Sequence, residues 1–202
     1  MIIRRAGDRA LLCDVADVEA AHGLRAAITA AAYDDVIDVV PGWRSVLVIL
    51  DAPTDLESVA ARLRALRPQR AAVDAVSTHV ISVTYDGPDL ELVAAHARLS
   101  IDEVVRRHAA RTYTVAFLGF QPGFAYLVGL DPKLATPRKE TPRTSVPSGA
   151  VGIAGDVTGI YPRTSPGGWQ LIGSSDASLF DVEKSPPALF GPGDRVRFEA
   201  RE

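Results

Sequence analysis

"TYTVAFLGF", Thr112 to Phe120, alternates apolar and polar residues and then stops at glycine and phenylalanine, and everything after it repeats that habit. "AVGIAG", "VTGIY", "WQLIG" and "RVRFEA" follow as short strand-like runs, each bounded by glycine or proline. Of the 14 prolines ten lie between Pro122 and Pro192, and 12 of the 16 glycines lie between Gly119 and Gly193, so this half of the chain is built from turns and strands. Many short strands with such punctuation predict a closed β-barrel or a sandwich. Working back from Thr112, "HVISVTY" predicts a further strand, with Ile81, Val83 and Tyr85 alternating against Val80, Ser82 and Thr84. Between them "DLELVAAHA" predicts a short helix. A second one opens on the capping box Ser100 and Glu103 and places Ile101, Val104, Val105 and His108 on its apolar face.

The N-terminal part reads differently. "IIRRAGDRALLCDV" predicts a hairpin around Ala6-Gly7-Asp8, and Asp17 is placed to cap a helix with Val18, Ala21, Leu24 and Ile28 on one face. "VIDVV" and "SVLVIL" flank Pro41-Gly42-Trp43 as a second strand pair, and Thr54 with Glu57 reads as a capping box for a helix carrying Leu56, Val59, Ala60, Leu63 and Leu66. The expected organisation is therefore α+β: a small α+β domain over residues 1–77 and a β-barrel domain over 78–202.

Composition narrows the function. With 202 residues and 47% hydrophobic content the chain builds a real core, and a net charge of -3 argues against non-specific nucleic-acid binding, which needs a basic surface. The single Cys13 excludes an intrachain disulfide and reads as a buried strand thiol. The longest aliphatic run, Val46 to Leu50, is too short to span a bilayer, so no membrane role and a cytoplasmic location are expected. His22, His79, His96 and His108 lack metal-ligand spacing, and neither a phosphate-binding P-loop nor a G-x-S-x-G elbow occurs.

Three stretches stand out as candidate chemistry. "TPRKETPRTSVPSG" sets Arg138, Lys139 and Arg143 against one acid, Glu140; arginine forks suit carboxylate or phosphate, and a plain solvated loop is the other reading. "FLGFQPGFAYLVGL" gathers Phe117, Phe120, Phe124 and Tyr126 around Gln121-Pro122-Gly123, and "YPRTSPGGWQLIG" gathers Tyr161 and Trp169 around Ser165-Pro166-Gly167-Gly168. Phe117 and Phe120 read as core plugs, while Phe124, Tyr126, Tyr161 and Trp169 read equally well as a pocket wall. His108 admits a docking role in the core or a catalytic one.

Together, "FLGFQPGFAYLVGL", "LATPRKETPRTSVPSGAVGIAG" and "TGIYPRTSPGGWQLIG" resemble the family of 5-oxoprolinase B subunits, also labelled allophanate hydrolase subunit 1, which includes an inhibitor of a sporulation histidine kinase. The resemblance extends to "GDRALL" and "GWRSVLV" and so spans the chain. One departure is Ala125 where the family has a second proline in P-G-F-P-Y-L. The resemblance implies a carboxyltransferase-type, cyclophilin-like barrel and a subunit of an ATP-dependent amide hydrolase, nearly inactive alone, that opens 5-oxoproline to glutamate with subunits C and A. ATP, with Mg2+, would serve as co-substrate. The rivals are a module that inhibits a histidine kinase and a subunit of an allophanate or urea amide hydrolase. On this reading Gln121 to Phe124, Tyr126, Tyr161 and Ser165 to Trp169 line a pocket, Arg138 and Arg143 meet substrate carboxylate or nucleotide phosphate, and Gly167-Gly168 admit a ligand or partner backbone.

Overall fold

The structure is a computed structural model that describes residues 1–51, 55–67 and 76–201. The chain divides into two compact units, Met1–Ala75 and Val76–Glu202.

In the first unit β1 (Ile2–Arg5), β2 (Ala10–Asp14), β3 (Val36–Pro41) and β4 (Ser45–Leu50) form an antiparallel sheet in the order β1-β2-β4-β3. Strict alternation in β2 and β4 sends Leu11, Cys13, Val46, Val48 and Leu50 to one face. There they pack with Ala21, Leu24 and Ile28 of α1 (Val18–Ala31) and Leu56, Val59 and Leu63 of α2 (Leu56–Ala65). Asp17 caps α1, its carboxylate accepting from the Ala20 N–H at 2.8 Å. The N-cap of α2 is Asp55, which accepts from Glu57 N–H; Thr54, expected there, lies outside the described residues. Burial raises the Cys13 thiol to about 11, which keeps it protonated.

The second unit is a barrel. Its sheet runs β12-β9-β10-β7-β6-β13-β5, from β5 (Thr78–Val83), β6 (Thr112–Leu118), β7 (Ala125–Val128), β9 (Ala150–Ala154), β10 (Val157–Ile160), β12 (Gln170–Ser174) and β13 (Arg195–Ala200). The two edges meet: Thr84 and Ser174 exchange backbone hydrogen bonds of 2.9 and 2.8 Å just beyond β5, closing the sheet. A side chain at Gly173 would lie 2.5 Å from the Thr84 carbonyl, so the seam needs glycine. α3 (Leu90–Ala97) and α4 (Ile101–Ala109) contribute Leu90, Val93 and Val104 to the barrel core with Leu127, Ile153, Ile172 and Phe198. Ser100 caps α4 as expected, but Ile101 is exposed because the helix faces the core through Val104 and His108.

β9, β10 and β12 are buried on both sides, and β7 lays its half-buried Tyr126 and Val128 against the outer one. Their inward residues join the barrel core, while Ala150, Ala154, Val157 and Leu171 point outward into a second apolar cluster with Phe124, Val146, Tyr161 and Trp169. A ribbon of β8 (Arg143–Val146) and β11 (Ser165–Gly167) contributes Val146 to that cluster.

Candidate functional site

The outer cluster is where the three singled-out stretches converge. The turn between β6 and β7 is fixed by Gly119 N–H to Phe124 O (3.1 Å) and Phe124 N–H to Gln121 O (3.0 Å). It holds Phe120 at φ 68°, a left-handed conformation that a bulky aromatic adopts only under strain, and leaves the residue 60% exposed. Phe120 is thus no core plug, and Phe117, stacked on Tyr126 at 4.6 Å, is only half-buried. The basic loop is tied to the glycine-rich one by Lys139 N–H to Gly168 O (2.8 Å), by Gln170 Nε2 to Pro137 O (2.9 Å), and by the β8/β11 pairing. Behind both, Phe124 meets Trp169 and Tyr161 edge to face at 5.2 and 5.3 Å.

These parts leave a cavity of about 90 Å³, lined by Phe120, Phe124, Tyr126, Tyr161, Gly167, Gly168 and Trp169, with Arg138 the one charged residue in its lining. Burial pushes the Tyr161 phenol up, against a backbone hydrogen bond at Trp169 and the nearby Arg138 charge. The space equals roughly three liquid waters, well below the roughly 300 Å³ or more of an ordinary ligand pocket, so a nucleotide does not fit it. Among the described residues no three His, Cys, Asp or Glu gather to hold a metal ion.

The two arginines of the basic loop have separate fates. Arg143 donates through Nη2 to both carboxylate oxygens of Asp89 at 2.7 Å and through Nη1 to the Trp169 carbonyl at 3.3 Å. Asp89 is buried, also accepts the Leu171 N–H at 2.7 Å, and has Lys139 Nζ 3.4 Å away. Burial alone would raise its carboxyl; the Arg143 hydrogen bond, the Leu171 N–H and the two cationic charges outweigh it and hold the group below the usual carboxylate range. Arg143, expected to meet a ligand anion, gives Nη2 to this buried carboxylate and Nη1 to the Trp169 carbonyl. Arg138 is exposed, and among the described residues it enters no hydrogen bond or ion pair.

Of the two roles open to His108, docking in the core or catalysis, its surroundings favour docking. It is fully buried inside the barrel, stacked on Phe198 at 4.6 Å, with Nδ1 2.7 Å from the Tyr85 hydroxyl and Nε2 3.0 Å from Thr158 Oγ1. Thr158 gives its hydrogen to Gly152 O (2.9 Å), so it accepts from Nε2–H, and Nδ1 accepts from Tyr85. Burial lowers the imidazole to about 3 and keeps it neutral.

A side chain at Gly167 would overlap the Tyr161 hydroxyl, so the close approach it permits is internal to the chain; at Gly168 the nearest atom would be 3.6 Å away. Gly123, at φ 82°, packs on Leu179 and Phe180. Pro122 and Pro166 are exposed. Gln121 accepts from Arg163 Nε at 3.1 Å, while its Nε2 and the Ser165 hydroxyl are buried without partners among the described residues. Sequence reasoning missed Asp89. It reads as one more helix-cap aspartate before α3, yet its side chain makes no cap bond.

Comparison with known proteins bears on this geometry. The family model described as "Carboxyltransferase domain, subdomain C and D" matches residues 1–190. A curated relative from Escherichia coli O157:H7, named as the B subunit of 5-oxoprolinase, is 47% identical over 169 residues, covering 81% of this chain and 78% of that one. Relatives of the same name from Haemophilus influenzae and Bacillus subtilis are 42% and 38% identical, with 81% and 88% of this chain and 79% and 80% of theirs covered. Among solved structures, TTHA0988 matches with a TM-score of 0.84 and 34% identity over 100% of this chain, which spans 40% of that longer protein. The Kluyveromyces lactis urea amidolyase matches with a TM-score of 0.77 over 98% of this chain and 15% of its own; at 21% identity that likeness is one of fold.

Proposed function

We propose a function from one premise: this chain belongs to the family of 5-oxoprolinase B subunits. It acts as the B subunit of an ATP-dependent 5-oxoprolinase in the cytoplasm, which opens 5-oxoproline to glutamate together with subunits C and A, and turns over little or not at all alone. The observation that carries this reading is the convergence of the three family stretches on one cavity with a cation in its lining.

The chemistry explains why several subunits share the work. Delocalisation of the nitrogen lone pair makes a lactam carbonyl a poor electrophile. Ring opening adds water across the C–N bond, the carbon keeping oxygen and the nitrogen taking a proton, and glutamate results. ATP, with Mg2+, supplies the driving force in the assembly. The aromatic cavity is too small for a nucleotide, so it is not the nucleotide's site. This chain's own contribution is to bind and orient the small acid. Binding at a rigid wall turns a collision into a positioned encounter.

The test is glutamate release from 5-oxoproline by a mixture of this chain with subunits C and A, with and without ATP. Release only with ATP and all three components supports the reading. No release with ATP present, or full turnover by this chain alone, overturns it.

A further inference from the structure

We propose that Arg138 is the carboxylate-binding residue of the aromatic cavity, and that the ligand of this subsite is a small monocarboxylate carrying a compact five-membered ring. The inference rests on the proposed function, where that acid is 5-oxoproline, and it divides the basic loop into one working arginine and one strut.

The division follows from what each cation already touches. Arg143 is held bidentately by Asp89, Lys139 lies 3.4 Å from the same carboxylate, and Arg163 donates to Gln121. The Arg143 guanidinium is held in place by a buried carboxylate at Nη2 and the Trp169 carbonyl at Nη1, so its charge is already engaged. Arg138 lies in the cavity lining, close enough for its charge to act on the Tyr161 hydroxyl, and is the one cation there. The strut also sets the position of the free arginine. The Gln170 Nε2 bond to Pro137 O on one side of Arg138, and on the other the Lys139 N–H bond to Gly168 O and the Arg143–Asp89 pair, fix both ends of the loop segment that carries it.

Size and wall chemistry select the ligand. A guanidinium alone would accept phosphate as readily as carboxylate. The cavity of about 90 Å³ is too small for a whole nucleotide, and its walls are the rings of Phe124, Tyr126, Tyr161 and Trp169, which gain nothing from a bare phosphate. A five-membered ring with its carboxylate left at the mouth uses both parts: the ring displaces water from the aromatic wall, and the carboxylate pairs with Arg138. The exposed edge of Phe120 stands beside that mouth, 5.4 Å from Phe124 and 6.2 Å from Tyr161.

Two measurements decide the point. In the complex with subunits C and A, Arg138→Gln is expected to raise the KM for 5-oxoproline about ten- to a hundredfold, the scale of a lost charge-assisted pair, with the KM for ATP unchanged. An unchanged KM for 5-oxoproline, or a KM for ATP that rises in step, overturns the proposal. Independently of turnover, saturation-transfer NMR on this chain compares 5-oxoproline, cyclopentanecarboxylate, 2-pyrrolidinone and inorganic phosphate. Signals from both acids that vanish in Arg138→Gln, with the 2-pyrrolidinone signal retained, support it. Acids that bind the variant as well as the wild-type chain, or that phosphate displaces at equal concentration, overturn it. If the three-component mixture releases no glutamate while the acids still depend on Arg138, the proposed function fails and the subsite stands.

Discussion

The two sides of the same four strands, β7, β9, β10 and β12, are built to opposite specifications. On the inside, both nitrogens of His108, the Thr158 hydroxyl and the Tyr113 hydroxyl have partners, and apolar side chains fill the rest. On the outside stand a cation free of partners among the described residues, an aromatic in a left-handed conformation, and a cavity walled by rings. Near them the Gln121 Nε2, the Ser165 hydroxyl and the Gln170 Oε1 are buried without partners among the described residues. A buried polar group left unpaired works against stability, so the inner side is organised for folding, while the outer side carries the features that the proposed binding uses.

Substitutions can break this contrast at graded strength. The largest effect is expected at Trp169, which is 4% exposed and supports both the outer core and the cavity: Trp169→Ala should destabilise the second unit by about 3–5 kcal/mol in chemical denaturation. Next comes the strut. Arg143→Ala leaves the Asp89 carboxylate buried with weaker partners and should lower stability by about 3 kcal/mol, whereas Arg138→Gln should change it by less than about 0.5 kcal/mol. Equal melting temperatures for the two variants would erase the distinction between strut and binder.

Acid sharpens the comparison from the inside. His108 has a folded value of about 3 against 6.5 when free, so below pH 6.5 the unfolded chain takes up the proton first. Its contribution is present above pH 6.5 and is lost progressively as pH falls towards 3. Asp89, held below the usual carboxylate range, adds a loss that begins only below about its unfolded value of 3.8. Denaturation midpoints between about pH 7 and pH 4 should therefore fall in the wild-type chain and fall less in His108→Gln. The smallest effect is expected at Gly168: Gly168→Ala meets its nearest atom at 3.6 Å and should leave the melting temperature nearly unchanged, while Gly167→Ala, driven into the Tyr161 hydroxyl, should lower it clearly.

What could be read from the sequence was local. Asp17 and Ser100 announce their helices because a cap bond spans three residues, and β6, β9, β10, β12 and β13 announce themselves by apolar runs between turns. β7, β8 and β11 carry proline, glycine or too few residues to show a period, and barrel closure depends on one exchange between Thr84 and Ser174, 90 positions apart. The aromatics of the site were legible as a group. The roles of the arginines were not, because Arg143 finds its partner 54 residues earlier and nothing in "TPRKETPR" separates it from Arg138.

The central claim is that the outer face of the barrel holds a small ring-bearing acid against Trp169. The chain has two tryptophans, Trp43 in the first unit and Trp169 in the cavity wall, and their indole N–H signals report each unit separately in a 1H–15N NMR titration with 5-oxoproline. The account predicts a saturable shift of the Trp169 signal with Trp43 unmoved, and loss of that shift in Arg138→Gln. A shift at Trp43 alone, or a Trp169 signal that stays fixed at millimolar 5-oxoproline, would contradict it.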